Sequence, residues 1–226
     1  MKRVNLIILL LCGSFLMFTS SCSDDPIGID EHKEIWPLEK GNLWKYNIKE
    51  PSYITDDLNM EILDTIRIEY AGKNYTVYKQ VTYFEGTSKP NIHHLYWNGP
   101  EGTYYMGAIT DNDTLLIKSL AYKYPAEIGD SWERLVIDYS NPAEKFYIAD
   151  TLTFSLIDKG VKYQSEIGDF NCYLYEFQGY PSPDIPTNWR FKYYLSPGNG
   201  IVGRLTTSDL DNSVKQDYSL IEYKIN

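Results

Sequence analysis

The chain contains three histidines, the residue type best suited to acid–base chemistry and metal binding near neutral pH. His93 and His94 are adjacent, and His32 lies far from both in the sequence. Successive side chains of a strand point to opposite faces of a sheet, so His93 and His94 cannot hold one ion together. The histidines and cysteines do not follow the spacing of a zinc site either. We therefore predict neither a metal centre nor a cofactor.

Carboxylates are the next candidates for chemistry. Asp111-Asn112-Asp113 begins like a calcium-binding loop, but Leu116 and Tyr122 stand where that loop needs glycine and glutamate. An acidic turn is the simpler interpretation. The HExxH and GxSxG motifs of hydrolases are absent from the sequence. The sequence predicts a protein that is not an enzyme. The weakest alternative is a hydrolase whose pair of catalytic carboxylates is not identified by any sequence motif.

The cysteines separate into different roles. A basic Met1-Lys2-Arg3 precedes the apolar run from Leu6 to Phe18, which contains Cys12. This arrangement is typical of a secretory signal peptide, predicted over residues 1–21, with an uncleaved helical anchor as the alternative. Cys172 follows the alternation of a strand and predicts a small buried residue rather than a nucleophile.

The stretch Thr19-Ser20-Ser21-Cys22 resembles the lipobox of bacterial lipoproteins, and Cys22-Ser23-Asp24-Asp25 resembles the mature start of Bacteroidetes lipoproteins. The resemblance implies that Cys22 is acylated and that the lipid attaches the protein to the outer membrane, on the cell surface or the periplasmic side. Residues 22–33 are polar and predict a flexible tether.

Three Asp-Thr-aliphatic triplets resemble the acceptor motif of Bacteroidetes protein O-glycosylation. The implied acceptors are Thr65, Thr114 and Thr151. An Asp turn that enters a strand is the alternative at each position. Mass spectrometry of protein from the native host tests each threonine.

The charge balance narrows the class of partner. The sequence has 31 acidic and 21 basic residues, for a net charge of −10. An acidic chain is a poor match for nucleic acid or for anionic lipid headgroups. Nucleic acid is therefore not expected as a partner, and the oligomeric state is left open.

From Leu43 onward the apolar residues recur with a period of two. Trp44, Tyr46 and Ile48 alternate with polar residues, and similar runs follow to the end of the chain with short turns between them. The pattern predicts a single all-β domain over residues 34–226. We expect a large, twisted antiparallel sheet that curls into a half-barrel, a barrel or a two-sheet sandwich.

A repeated motif precedes two of these strands. It reads aromatic-Pro-x-Glu-x-Gly-(Asn/Asp)-x-Trp and spans residues 36–44 and 124–132. Proline favours an extended arm, and Gly41 or Gly129 permits the turn that follows. Trp44 and Trp132 are then predicted to enter the core. The repetition allows two related halves.

Several motifs resemble uncharacterised Bacteroidetes lipoproteins, namely residues 37–46, 168–173 and 194–203. The resemblance implies no activity and no catalytic residue.

The sequence favours a non-enzymatic lipoprotein that binds a ligand such as a glycan through exposed aromatic residues. The candidate ligand-binding residues are His93, His94, Tyr96, Trp97, Tyr180 and Trp189, and Tyr104 and Tyr105 are also expected to be exposed. The alternative is a carrier or assembly factor whose concave sheet shelters a lipid or a partner chain.

Overall fold

The structure, a computed structural model, describes residues 33–50, 53–54, 57–138, 145–179 and 189–226. The predicted signal peptide, Cys22, nearly all of the tether and Tyr180 lie outside the described residues. The described part contains no helix with the length and apolar character that a membrane crossing needs.

The described residues form thirteen strands. They are β1 Leu43–Glu50, β2 Tyr53–Ile54, β3 Leu58–Tyr70, β4 Lys73–Phe84, β5 His93–Gly99, β6 Gly102–Ile109, β7 Thr114–Lys123, β8 Ser131–Asp138, β9 Tyr147–Ser165, β10 Gly168–Gln178, β11 Trp189–Ser196, β12 Gly200–Ser208 and β13 Val214–Lys224. The alternating pattern of the sequence is confirmed as strand structure.

All thirteen strands belong to one antiparallel sheet. Its order is β7-β6-β5-β4-β3-β1-β13-β12-β11-β10-β9-β8, with β2 beside β1. Neighbours in the sheet follow the order of the sequence, with two exceptions. β1 pairs with β3 because β2 lies to the side, and β1 also pairs with β13, where Leu43 lies opposite Lys224. The sheet is therefore an up-and-down meander that curls into a nearly closed barrel, one of the three predicted shapes.

The two outer strands of this order, β7 and β8, meet without a backbone ladder along their described lengths. Trp132 Nε1 donates a hydrogen bond to the carbonyl of Leu120 at 3.1 Å. The backbone N–H of Leu135 donates to Ser119 Oγ at 2.9 Å. We call this junction the β7–β8 seam, and side chains rather than paired backbones hold it together.

The first motif copy forms a tight turn before β1. Gly41 has a φ of +87°, which glycine adopts without strain. Its N–H donates to the carbonyl of Ile62 in β3 at 2.8 Å, and the N–H of Ile62 donates to the carbonyl of Asn42 at 2.9 Å. These two hydrogen bonds fix the first motif copy to β3, the next long strand in the sequence.

The second copy makes the same contacts before β8. Gly129 has a φ of +93°. Its N–H donates to the carbonyl of Leu156 in β9 at 2.9 Å, and the N–H of Leu156 donates to the carbonyl of Asp130 at 2.9 Å. The two motif copies therefore make matching hydrogen bonds, and we call the strands that follow them, β1 to β7 and β8 to β13, the two halves of the barrel.

Aromatic residues at the start of each half fill the barrel end where β1 and β8 begin, which we call the motif end. Trp44 is fully buried, and its Nε1 donates to the carbonyl of Asn199 at 2.6 Å. Trp36 is also buried and meets Trp44 edge-on at 5.9 Å between ring centroids. Tyr124 occupies the corresponding position in the second copy and packs against Tyr173. The two arms therefore close the core at the motif end.

Two of the predicted core residues differ in their degree of burial. Cys172 is fully buried, and burial raises the pKa of its thiol to about 12, so it is not an activated nucleophile. Trp132 is only half-buried, although it packs against the core. It lies on β8 at the β7–β8 seam, where no further paired strand covers it.

The long hairpins β3–β4 and β9–β10 extend beyond their neighbours and pack on the outer face of the sheet. In the first, Tyr75 meets Trp97 of β5 edge-on at 5.1 Å. In the second, the Tyr163 hydroxyl donates to the carbonyl of Tyr218 at 3.2 Å. The first strand of this hairpin, β9, continues to Ser165 because it passes through Gly160 as a bulge with a φ of +78°.

Candidate functional site

The concave face of the sheet encloses a cavity of about 420 Å³. Tyr96 and Tyr122 line it near the motif end, where Trp36 packs against both rings. The cavity extends along strands of both halves towards the opposite end of the barrel. Its volume lies within the roughly 300–1,000 Å³ range of small-molecule sites.

Aromatic rings are prominent in the cavity wall. The aromatic residues that line it are Tyr46, Tyr96, Tyr105, Tyr122, Phe154, Phe177, Phe191, Tyr193 and Tyr218. Several are in mutual contact, with 4.5 Å between the ring centroids of Phe154 and Phe177 and 4.7 Å between those of Phe177 and Phe191. These packed rings form a firm apolar surface, because each ring restricts the rotamers of its neighbours.

The basic residues in the described lining are Arg134, Arg204 and His94, and the described lining contains no Asp or Glu. The guanidinium of Arg134 lies over three rings, 5.8 Å from the centroid of Tyr105, 5.8 Å from that of Tyr122 and 5.2 Å from that of Phe154. An excess of positive charge on an aromatic wall favours anionic molecules.

His94 adds a polar but neutral group to the wall. Its Nδ1 lies 3.0 Å from the Tyr105 hydroxyl. Burial, and then the positive charge of Arg134, lower the pKa of His94 to about 4. The imidazole is therefore uncharged at neutral pH, and the cavity's positive charge comes from its two arginines.

Folding should become less favourable in mild acid because of His94. Below pH 6.5 the unfolded chain protonates this residue, whereas the folded chain resists protonation down to about pH 4. Stability should therefore fall as the pH falls through this window, and His94→Gln should remove about 1.5 kcal/mol of the loss between pH 6.5 and 5. Urea unfolding at several pH values measures this. His93→Gln is the control and should have a smaller effect. If the unfolding free energy of His94→Gln changed with pH as steeply as that of the parent, the lowered pKa of His94 would be contradicted.

The structure divides the predicted ligand-binding residues between the two faces of the sheet. His94 and Tyr96 line the cavity. Trp97 lies on the outer face, where the ammonium group of Lys118 sits 5.0 Å from its ring centroid. His93 also falls outside the cavity lining. These residues therefore do not form one surface, because adjacent residues of β5 point in opposite directions.

Trp189 packs beside Phe177 and Phe191 in the aromatic cluster but is not among the residues that line the cavity. Tyr180 lies outside the described residues. The expectation of exposed rings is wrong for Tyr96, Tyr104 and Tyr105, which are all buried. Tyr96 and Tyr105 face the interior of the barrel, and Tyr104 is covered by Trp97 and Lys118.

Sequence reasoning missed the two arginines. A signal was present, since Arg134 shares the strand phase of Trp132, a residue predicted to face the core. Arg204 is likewise two positions from both Val202 and Thr206, which are fully buried. A cation in the inward phase of a strand is unusual enough to mark a candidate site.

The three candidate glycosylation threonines, Thr65, Thr114 and Thr151, are all exposed. Exposure makes them reachable, and their modification stays a prediction. In the described part of the chain, no group of three or more His, Cys, Asp or Glu residues comes together as metal ligands would.

No protein-family model and no curated protein matches the chain. Two solved structures are similar to it. One, described as an exported protein with a YmcC-like fold from Bacteroides fragilis, is 11% identical, has a TM-score of 0.49 and matches over 85% of this chain and 100% of its own. The other, described as a lipoprotein from Parabacteroides distasonis, is 12% identical, has a TM-score of 0.45 and matches over 85% and 99%. Similarity at this level assigns no function.

Proposed function

We propose that this protein is a lipid-anchored extracytoplasmic binding protein that holds a small, largely apolar molecule inside its barrel. The observation that carries the proposal is the cavity of about 420 Å³ between the aromatic rings of the concave face. A barrel of this kind with a fully packed interior would have no room for a ligand.

The location of the protein is part of the same proposal. The lipobox-like residues before Cys22 support acylation and export, as the lipoprotein resemblance implies. A lipid anchor would keep the binding domain at a membrane surface, where apolar molecules concentrate. Mass spectrometry of the mature N-terminus tests the acylation of Cys22, and an unmodified cysteine would contradict it.

The cavity favours a carrier or binding protein for apolar molecules over a glycan-binding module. Glycan recognition usually needs aromatic rings and hydrogen-bonding groups on one accessible surface. The rings predicted for that role are split, with Tyr96 inside the barrel and Trp97 outside it. The aromatic cavity instead offers an apolar molecule shelter from water on several sides.

The fluorescent probe N-phenyl-1-naphthylamine tests the proposal, because it is neutral and aromatic. The full chain, held in amphipol, should bind it saturably, and energy transfer from tryptophan separates bound probe from probe in the amphipol. Val136→Phe should weaken binding about tenfold or more, because Val136 lines the cavity and a larger ring would fill it.

Val214→Phe is the matched control. It makes the same change at an exposed position outside the cavity lining and should leave binding unchanged. The proposal fails if the parent shows no saturable binding, or if Val136→Phe folds normally and binds the probe as tightly as the parent.

A further inference from the structure

We infer that the molecule held in the cavity carries an anionic oxygen group, such as a carboxylate or sulfonate, which binds at Arg134. This inference rests on the proposed function and adds the chemical class of the ligand. It depends on three features of the cavity: the surroundings of Arg134, the charge balance of its lining, and the arrangement of rings between the two arginines.

The first feature is the environment of Arg134. The side chain is half-buried, and its guanidinium has aromatic rings as its neighbours, with the Tyr122 hydroxyl as a polar partner. Among the described residues, no carboxylate forms an ion pair with it. A guanidinium has five N–H donors in a planar fork, so one hydroxyl leaves most of them able to bind an incoming acceptor.

The second feature is the contrast with another arginine of the same protein. Arg190 lies near the surface, forms a hydrogen bond with Asp209, and pairs with Glu176 at 3.0 Å. The chain has an acidic excess of ten charges, so acidic partners are plentiful. That the described lining holds two arginines and no acid is therefore a property of the cavity itself. For Arg134, which no described carboxylate pairs, partial desolvation of the charge is costly, and an anionic ligand would offset that cost.

The third feature is the row of aromatic rings between Arg134 and Arg204. Arg204 lies 5.5 Å from the ring centroid of Phe191 and 5.8 Å from that of Tyr193, and its Nη2 donates to Gln216 Oε1 at 3.1 Å. The ring centroids of Tyr193 and Tyr122 are 6.1 Å apart, and the guanidinium of Arg134 lies over the Tyr122 ring. The rings thus join the two arginines. A ligand whose anionic group meets Arg134 would lay its apolar body along these rings.

The geometry of an arginine favours an oxygen anion over a simple halide. Carboxylates and sulfonates present two or more oxygens with a spacing that matches the guanidinium fork, which gives paired, charge-assisted hydrogen bonds. The surrounding rings exclude water from such a pair and strengthen it.

Two matched probes test the inference. 8-Anilino-1-naphthalenesulfonate has the same ring system as N-phenyl-1-naphthylamine and differs from it by one sulfonate. With the full chain in amphipol and energy transfer from tryptophan as the signal, Arg134→Gln should weaken binding of the sulfonate probe about tenfold or more. Binding of the neutral probe should change by less than about threefold, since its rings still find the aromatic wall.

Arg67→Gln is the charge-matched control, because Arg67 is exposed on the β3–β4 hairpin and lies outside the cavity lining. It should leave both probes unaffected. Arg134→Lys keeps the charge but loses the planar fork, so it should also lose affinity for the sulfonate probe selectively, by a smaller factor. This second variant serves if Arg134→Gln does not fold.

The outcomes separate this inference from the proposed function. Suppose that the neutral probe binds in the cavity, but the Arg134 variants weaken the binding of both probes equally or of neither probe. The anionic class of ligand is then wrong, and the proposed function stands. If neither probe binds the parent chain saturably, both are wrong.

Discussion

Trp44→Ala is expected to lower the free energy of unfolding by about 3–5 kcal/mol. The indole is fully buried at the motif end, and alanine would leave a cavity that neighbouring rings cannot fill without moving. The substitution also removes the hydrogen bond from Trp44 Nε1 to the carbonyl of Asn199, and that carbonyl would lose this donor. The loss combines apolar burial with one hydrogen bond.

Urea unfolding followed by circular dichroism measures this loss. Trp132→Ala is the comparison, because Trp132 holds the same place in the second motif copy but is only half-buried beside the β7–β8 seam. It should cost clearly less than Trp44→Ala. A Trp44→Ala variant as stable as the parent would show that this indole does not support the core.

Gly102→Ala is expected to cost about 3 kcal/mol or more. Gly102 begins β6 with a φ of +125°, a conformation that strains any residue with a Cβ atom. A Cβ at this position would stand 2.0 Å from the carbonyl oxygen of Tyr122 and 2.7 Å from the backbone nitrogen of Tyr124. Both atoms belong to the backbone, so they can move only if β7 and the second motif arm move with them.

Gly86→Ala is the matched control for this prediction. Gly86 also has a positive φ, +77°, but a Cβ there would meet no atom within 4 Å. The difference between the two variants in urea unfolding isolates the steric clash from the backbone strain. Equal losses for the two variants would contradict the close approach of β6 to β7.

Much of the fold could be predicted from the sequence. Alternation of apolar and polar residues is set by strand geometry, so Trp44, Tyr46 and Ile48 identified an inward face correctly. The two motif turns were also predictable, because the glycines at 41 and 129 are needed where the chain takes a positive φ.

The candidate site could not be predicted in the same way, because period two does not say which face of a strand lies inside. Tyr96 and Trp97 are adjacent and chemically similar, yet only Tyr96 lines the cavity. Their faces are decided by pairing with β6, where Tyr96 lies opposite Tyr105 and Trp97 opposite Tyr104. Closure of the barrel depends on contacts between residues far apart in the sequence. The position of Arg134 within the cavity therefore emerges only from the three-dimensional structure.

The pairing of β1 with β13 has a consequence for how the chain folds. The backbone N–H of Asn226 donates to Asn42 Oδ1 at 2.9 Å across 184 positions of sequence. Contacts of such long range carry a large loop-closure entropy and slow the rate-limiting step. Each half can form its local hairpins early, but the ring of strands cannot close until β13 is available to pair with β1. A chain in which β1 and β13 have not yet paired would therefore lack a finished barrel, and its cavity would take shape only at the end of folding.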